Sequence, residues 1–312
     1  MILPSQQLFA TCYGTYGIAA VNVEFMEQIL ALFAAAEKAN APFIVQTTPM
    51  ARTYASPDML MGMIRAAYRL HPKTVFAIHM DHGVEDHIWH ALEGDDYTSV
   101  MIDASHDPFE TNIQRTRQVV DRAHAKGVSV EAELGVLSGV EDGLSVEEEK
   151  AFYTNPEDVE QFVQATNCDS LAIAVGTSHG AYKFSGGQGI QFQILREIQQ
   201  RLPEFPLVLH GGSAVNHTEI NRINAAGGQL QASAKGVDPI EVQKAIQLGV
   251  CKINMATDFR LLWTRVNREF FRDQPDQFHP IFPGKIYMKE LESLLLEKFD
   301  YVGAVGKGDQ FR

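Results

Sequence analysis

Thr74 to Gly83 reads TVFAIHMDHG, an apolar run that ends abruptly in a His-x-Asp-His cluster. A short apolar run with a β-branched member spells a buried strand, and this one carries two imidazoles and a carboxylate to its own tip. The rest of the chain is placed relative to it.

The same beat recurs on both sides. Upstream, Ile18 to Val23 is strand-like, and Phe25, Ile29, Leu32, Phe33 and Ala36 follow at the spacing of one helix face, stopped by Asn40 and Pro42. Phe43 to Thr48 (FIVQTT) is the next strand, and a helix from about Pro57 to Leu70 leads into TVFAIHMDHG. Downstream, a polar helix from Val84 to Glu93 precedes Ser99 to Ala104 (SVMIDA). Asp107-Pro108-Phe109-Glu110 then has the form of a helix start, with Asp107 as cap, and the helix runs to Lys126 before Gly127. Ser129 to Gly135, Leu171 to Gly176, Leu207 to Gly212 and Lys252 to Thr257 complete the set, with Asn155-Pro156 opening one of the intervening helices.

Strands that alternate with helices imply a parallel sheet, and eight such units in roughly 250 residues have the size of a (β/α)8 TIM barrel. An open doubly wound sheet is the structural rival. Closure is favoured because Asn22, Gln46, Thr48, Asp81, His82, Asp103, Glu133, His179, His210 and Asn254 all fall at strand C-termini, which a barrel gathers into one ring. We expect an α/β fold with one TIM-barrel domain over 1–312: a barrel over approximately 8–275 and a C-terminal helical extension over 276–312. Ile286 to Phe299 reads as its amphipathic helix and GAVGKGDQFR as a frayed tail. Gly135 to Asn155, an acidic loop, and Gly227 to Pro239, a Gly-rich insertion, stand outside the beat.

Composition limits the partners. The chain has 312 residues, 45% of them hydrophobic, which is enough for a sizeable core. A net charge of −13 argues against nucleic acid or an anionic membrane as partner, since either needs a basic face. Cys12, Cys168 and Cys251 are odd in number and far apart, so they read as reduced packing thiols. The N-terminus lacks a leader pattern and no apolar run approaches transmembrane length, so the expected location is cytoplasmic.

A lone strand-end histidine is more often structural than a ligand. Here three meet a glycine: His82-Gly83, His179-Gly180 and His210-Gly211. Three neutral imidazoles are a common set for a catalytic Zn²⁺ that keeps one position open. His79 shares the face of Asp81 and reads equally as support for the site or as packing, whereas the remaining histidines, in helices or loops, read as surface residues. Glu131 and Glu133 flank Ala132 on one strand face, and paired inward carboxylates are costly unless they bind a cation or hold a proton. Glu141-Asp142 lies on the acidic loop, which Ser138-Gly139 could hinge over a substrate. Gly180, Gly211, Gly212 and Ser213, with Thr257-Asp258 opening a helix, offer backbone N–H groups of the kind that cradle phosphate.

Taken in order, AIHMDHG, SVMIDASHDPFETN, VSVEAELG with a following Gly-x-Glu-Asp, GTSHGAYKF, LVLHGGSAV and CKINMATD resemble the class II, metal-dependent fructose/tagatose-bisphosphate aldolases. The resemblance spans roughly Asn22 to Asp258. It implies a TIM barrel, a Zn²⁺ or other divalent ion, a monovalent Na⁺ or K⁺, and reversible cleavage of a ketose 1,6-bisphosphate to dihydroxyacetone phosphate and an aldehyde such as glyceraldehyde 3-phosphate. Carried over, His82, His179 and His210 match the metal ligands, and Glu133 an acid near an alternative metal position. Asp81 matches the acid/base at the C4 hydroxyl and Glu141 the carboxylate that exchanges the C3 proton. Asn22, Gln46, Thr48, Gly180, Lys183, Gly211, Ser213, Asn254 and Thr257 match the substrate pocket, with the backbone of Ser178, Gly180 and Gly211 near the monovalent cation. The chemistry agrees, because breaking C3–C4 leaves negative charge that a Lewis acid stabilises without a Schiff-base lysine. The implied partner is a small sugar phosphate, and the assembly a homodimer or homotetramer.

Two departures bear on substrate. Fructose-type members read Asn-x-Asp-Thr-Asp where this chain has Asn254-Met255-Ala256-Thr257-Asp258, as tagatose-type members do. His279-Pro280-Ile281 stands where bisphosphate-handling members carry Asp-Pro-Arg, which leaves Arg52 as the substitute cation for a distal phosphate. The alternative substrate is a ketose 1-phosphate. The rival classes are a different metal enzyme on the same barrel, such as a hydrolase, and a non-catalytic aldolase-like subunit.

Overall fold

The computed structural model describes residues 1–136, 153–177, 189–231 and 236–312, with the backbone of 139–141 and 144–146. In chain order the first half runs α1 (Ser5–Cys12), β1 (Ile18–Asn22), α2 (Met26–Ala39), β2 (Phe43–Thr47), α3 (Pro49–Ala55), α4 (Pro57–Leu70), β3 (Phe76–Gly83), α5 (Glu85–Glu93), β4 (Ser99–Ile102), α6 (Phe109–His124) and β5 (Ser129–Leu134). The second half runs β6 (Gly139–Glu141), β7 (Leu144–Val146), α7 (Pro156–Thr166), β8 (Ser170–Ile173), α8 (Phe192–Arg201), β9 (Leu207–Leu209), α9 (His217–Ala225), α10 (Pro239–Gln247), β10 (Val250–Met255), α11 (Thr257–Asp273) and α12 (Ile281–Tyr301). All the expected strands form, and β1 pairs in parallel with both β2 and β10, so the sheet closes into an eight-stranded barrel. The open sheet is thereby excluded. The short antiparallel pair β6–β7 lies within the acidic loop.

Helix starts follow local chemistry. Thr48, Ser56, Asn155 and Asp238 each cap a helix whose next residue is proline, so the side-chain oxygen accepts a first-turn N–H while the missing proline N–H costs nothing. Asn40 ends α2 in the left-handed region. The expectation at Asp107 is corrected: Pro108 occupies the cap position of α6, and the Asp107 carboxylate instead pairs with Arg115. A proline there offers no side-chain acceptor.

Alternation along each strand sends one set of side chains outward to the helices. Phe33, Phe43 and Phe76 meet with ring centroids 4.9–5.3 Å apart. All three are fully buried, each contributing roughly 1.5–3 kcal/mol by leaving water. Cys12, Cys168 and Cys251 are buried free thiols, as expected. The frayed tail is also corrected. After α12, Val302 and Ala304 are buried, residues 307–311 make a 3-10 turn, and the N–H groups of Gly306 and Gly308 donate to the carbonyls of Ala39 and Asn40. The last residues therefore close the end of α2. Among the described residues no helix is long and apolar enough to cross a membrane.

Candidate active site at the strand tips

The other set of side chains points into the barrel, and toward the C-terminal ends it is polar. Asp81, on β3, has no exposure and is held by three amides: Asn22 Nδ2 and Gln46 Nε2 donate to Oδ2 at 3.2 and 3.0 Å, and Asn254 Nδ2 donates to Oδ1 at 3.2 Å. Burial alone would raise this carboxyl, but the charges of His82 and Lys252 outweigh it and keep Asp81 far below the usual range. Gln46 Oε1 and Asn254 Oδ1 are buried without a hydrogen-bond partner among the described residues. Buried acceptors in that condition suit substrate hydroxyls.

His82 follows Asp81 at the end of β3 with φ of +49°, a conformation that non-glycine residues seldom adopt and that turns its ring toward the next strand. Its Nδ1–H donates to Asp103 Oδ2 at 3.2 Å, and Asp103 is itself fixed by the N–H and hydroxyl of Ser105. His210, beyond β9, is fully buried with its ring centroid 4.7 Å from that of His82. Its Nε2–H donates to Glu131 Oε1 at 3.0 Å, which leaves Nδ1 facing Glu133, 3.6 Å from Oε2. Each imidazole thus gives one nitrogen to a carboxylate and keeps the other as a candidate donor, the arrangement that presets a metal-binding tautomer. One candidate donor atom each from Asp81, His82 and His210 lies within 4.8 Å of the others, as does one each from His82, Asp103 and Glu133.

The two strand-face glutamates share a face but not an environment. Although burial opposes it, the Lys252 ammonium and the His210 hydrogen bond hold Glu131 down at about 2. Glu133 is driven well above the usual carboxylate range by burial and then by Asp103, and its Oε2 has no hydrogen-bond partner among the described residues. An isolated carboxyl among imidazoles and acids fits a divalent cation, so the donor set suits the metal that the chemistry calls for.

Sequence reasoning missed Lys252. It lies inside the barrel without exposure, its Nζ 2.7 Å from Glu131 Oε2, 3.2 Å from His79 Nε2 and 3.7 Å from Asp81 Oδ1. The line continues downward through His79 Nδ1 to Ser99 Oγ at 2.8 Å and on to Ser5 Oγ of α1 at 2.9 Å. Burial and the adjacent ammonium push His79 down to about 3, so it is a neutral relay of hydrogen bonds beneath the site. The available signal was a lysine between Cys251 and Ile253 near the start of β10, whose burial there demands a partner.

The remaining candidates divide. Gly211 has φ of +63°, and a Cβ on Gly212 would lie 2.4 Å from Ile253 Cγ2, so this turn needs both glycines. Ser213 Oγ accepts the Ala256 N–H at 3.2 Å, which ties the turn to the start of α11 where Thr257 sits. Thr48 is buried and caps α3. The guanidinium of Arg52, the expected substitute cation, is folded against His90 Nδ1 at 2.8 Å, Met80 Sδ and the Tyr97 ring, with 6% exposure. His179, Gly180 and Lys183, with Ser178, lie outside the described residues, as does the side chain of Glu141.

The Fructose-bisphosphate aldolase class-II family matches residues 5–307. A fructose-bisphosphate aldolase of Thermus caldophilus is 41% identical over 292 residues, covering 92% of this chain and 94% of that protein. One from Giardia intestinalis is 38% identical over 302 residues, covering 95% and 91%. The crystal structure of the YdjI aldolase from Escherichia coli K12 superposes with a TM-score of 0.78 at 26% identity, covering 99% of this chain and 100% of that one.

Proposed function

This chain belongs to the class II fructose-bisphosphate aldolase family and is a lyase, and from that premise we propose that it reversibly cleaves a ketose 1,6-bisphosphate of fructose or tagatose type. The products are dihydroxyacetone phosphate and an aldehyde such as glyceraldehyde 3-phosphate. The observation that carries the reading is the convergence of Asp81, His82 and His210 within one donor cluster at the strand tips. His82 and His210, with His179, would hold a Zn²⁺ or similar ion, and Glu133 would serve an alternative position for it. Bound there, the ion supplies a Lewis acid for the negative charge that develops at the ketone oxygen.

The protein's own groups do the rest. Asp81, ionised and oriented by the three amides, takes the C4 hydroxyl proton on cleavage and returns it on condensation. Glu141 exchanges the C3 proton. Gly211, Ser213 and Thr257, with Gly180 and Lys183, receive the phosphate, and the backbone of Ser178, Gly180 and Gly211 would hold a Na⁺ or K⁺. We read 1–312 as one domain acting as a cytoplasmic homodimer or homotetramer.

A ketose 1-phosphate is the second reading, favoured by two observations. Arg52 is engaged away from the role of distal-phosphate partner, and Ile281 offers no charge where an arginine would stand. The test of the primary reading is a coupled assay for dihydroxyacetone phosphate on metal-loaded protein, with metal measured by elemental analysis. Absence of that product from every ketose phosphate tried, with metal bound, would overturn it.

A further inference from the structure

We propose that Lys298 of α12 is a positioning residue for the phosphate cradle, acting through Asp258 at the start of α11; the proposal rests on the sugar-phosphate reading above. Asp258 is the second residue of α11 and is 7% exposed. Its Oδ2 accepts the Ala214 N–H at 3.1 Å and lies 2.7 Å from Lys298 Nζ. Lys298 is 6% exposed, and its ammonium stands 5.5 Å from the centroid of the Tyr301 ring, whose hydroxyl reaches the Gly212 carbonyl at 3.5 Å. The appended helix therefore reaches the Gly211–Ala214 turn directly through Tyr301 and indirectly through the Lys298–Asp258 pair.

The turn is a built object. Gly212 N–H donates to the Asn254 carbonyl at 3.0 Å, Ser213 Oγ accepts from Ala256, and the Ser213 carbonyl accepts from Val237 N–H at 3.2 Å. Asp258 adds the fourth tie by drawing the Ala214 N–H onto α11. That tie has an electrostatic cost. A helix start and a glycine turn attract a phosphate through the partial positive charge of their N–H groups. A carboxylate in the first turn of the same helix opposes a dianion at close range. Lys298 cancels that charge from behind, so the carboxylate can shape the turn without repelling the ligand. Both groups are shielded from water, so solvent screens the pair little.

The test uses full-length, zinc-loaded enzyme and titration calorimetry with inorganic phosphate and with dihydroxyacetone phosphate. Lys298→Met keeps the stem and leaves the carboxylate, and it is expected to weaken both ligands roughly tenfold or more with zinc content and circular dichroism unchanged. Lys298→Arg should bind like wild type. Lys298→Met combined with Asp258→Asn removes the repelling charge while an amide oxygen can still accept from Ala214, and it should recover most of the affinity. Rescue of this kind is not expected from lost packing alone. Wild-type affinity in Lys298→Met, or no recovery in the double variant, would overturn the proposal while leaving the sugar-phosphate reading intact. Failure of wild-type enzyme to bind either ligand would overturn both.

Discussion

Lys252 Nζ lies 2.7 Å from Glu131 Oε2 at the centre of the barrel, and neither side chain touches water. A buried pair of this kind is replaced more safely than it is broken, because one partner alone is an uncompensated charge. Lys252→Met is therefore expected to cost about 3–5 kcal/mol in urea unfolding of the metal-free protein. Lys252→Met together with Glu131→Gln should recover much of that loss. An unchanged unfolding midpoint in the single variant would show that the pair is not ionic.

The same pair sets the acid limit of stability. Glu131 titrates at about 2 against an ordinary 4.5, because Lys252 and His210 outweigh its burial. A depressed carboxylate contributes stability that is complete above 4.5 and lost as pH falls through the window down to about 2. The contribution is on the order of 3 kcal/mol. Glu131→Gln should flatten this limb of the stability curve of the metal-free protein, measured from about pH 6 downward. An equally steep acid limb in that variant would assign the loss to other groups.

His210 is predicted to be required for metal and dispensable for the barrel. Its ring is oriented by the Glu131 side chain, so His210→Ala should retain the barrel's circular dichroism while elemental analysis finds little zinc. Chelation of the wild-type protein should abolish turnover and re-addition restore it. Full turnover with metal shown to be absent would refute metal dependence.

Much of this was legible in the sequence for a physical reason. Strands buried on both faces read as apolar runs, and Asp81, His82 and His210 stood out because they interrupt such runs at their ends. Lys252 did not, since it sits near the start of its run and looks like a boundary, while its partner is 121 residues away. Pairing at that separation leaves no local signature. The closing tail was misjudged for a similar reason: its anchors are backbone bonds from Gly306 and Gly308, which composition does not encode. At Asp107 a helix-start pattern was present, but Arg115 competed for the carboxylate.

The two proposed proton carriers are separable. If Glu141 exchanges the C3 proton, Glu141→Gln should suppress tritium exchange into dihydroxyacetone phosphate by orders of magnitude, roughly 10²–10⁴-fold. Asp81→Asn should spare that exchange and chiefly block carbon–carbon bond cleavage. Undiminished exchange in the Glu141 variant would remove it from that role.

Substrate choice is predicted from Ala256, Ile281 and Arg52. Ala256 stands where fructose-type members carry an aspartate, and its buried position offers the aldehyde half no side-chain hydrogen bond. Losing one such partner removes roughly 1–3 kcal/mol of preference at C4, a factor of about ten to a hundred between epimers. At the far end, a bisphosphate needs a cation. Ile281 cannot supply one, and Arg52 would have to abandon His90 and the Tyr97 ring to do so. The kcat/KM values for fructose and tagatose 1,6-bisphosphates are therefore expected to lie close together, and the corresponding 1-phosphates to be competitive with them. Because Arg52 is committed elsewhere, Arg52→Ala should lower stability rather than change the ratio of bisphosphate to monophosphate. A strong preference for fructose 1,6-bisphosphate that survives Arg52→Ala would mean that another cation receives the distal phosphate. A preference that disappears in that variant would instead mean that Arg52 leaves its pocket when substrate binds.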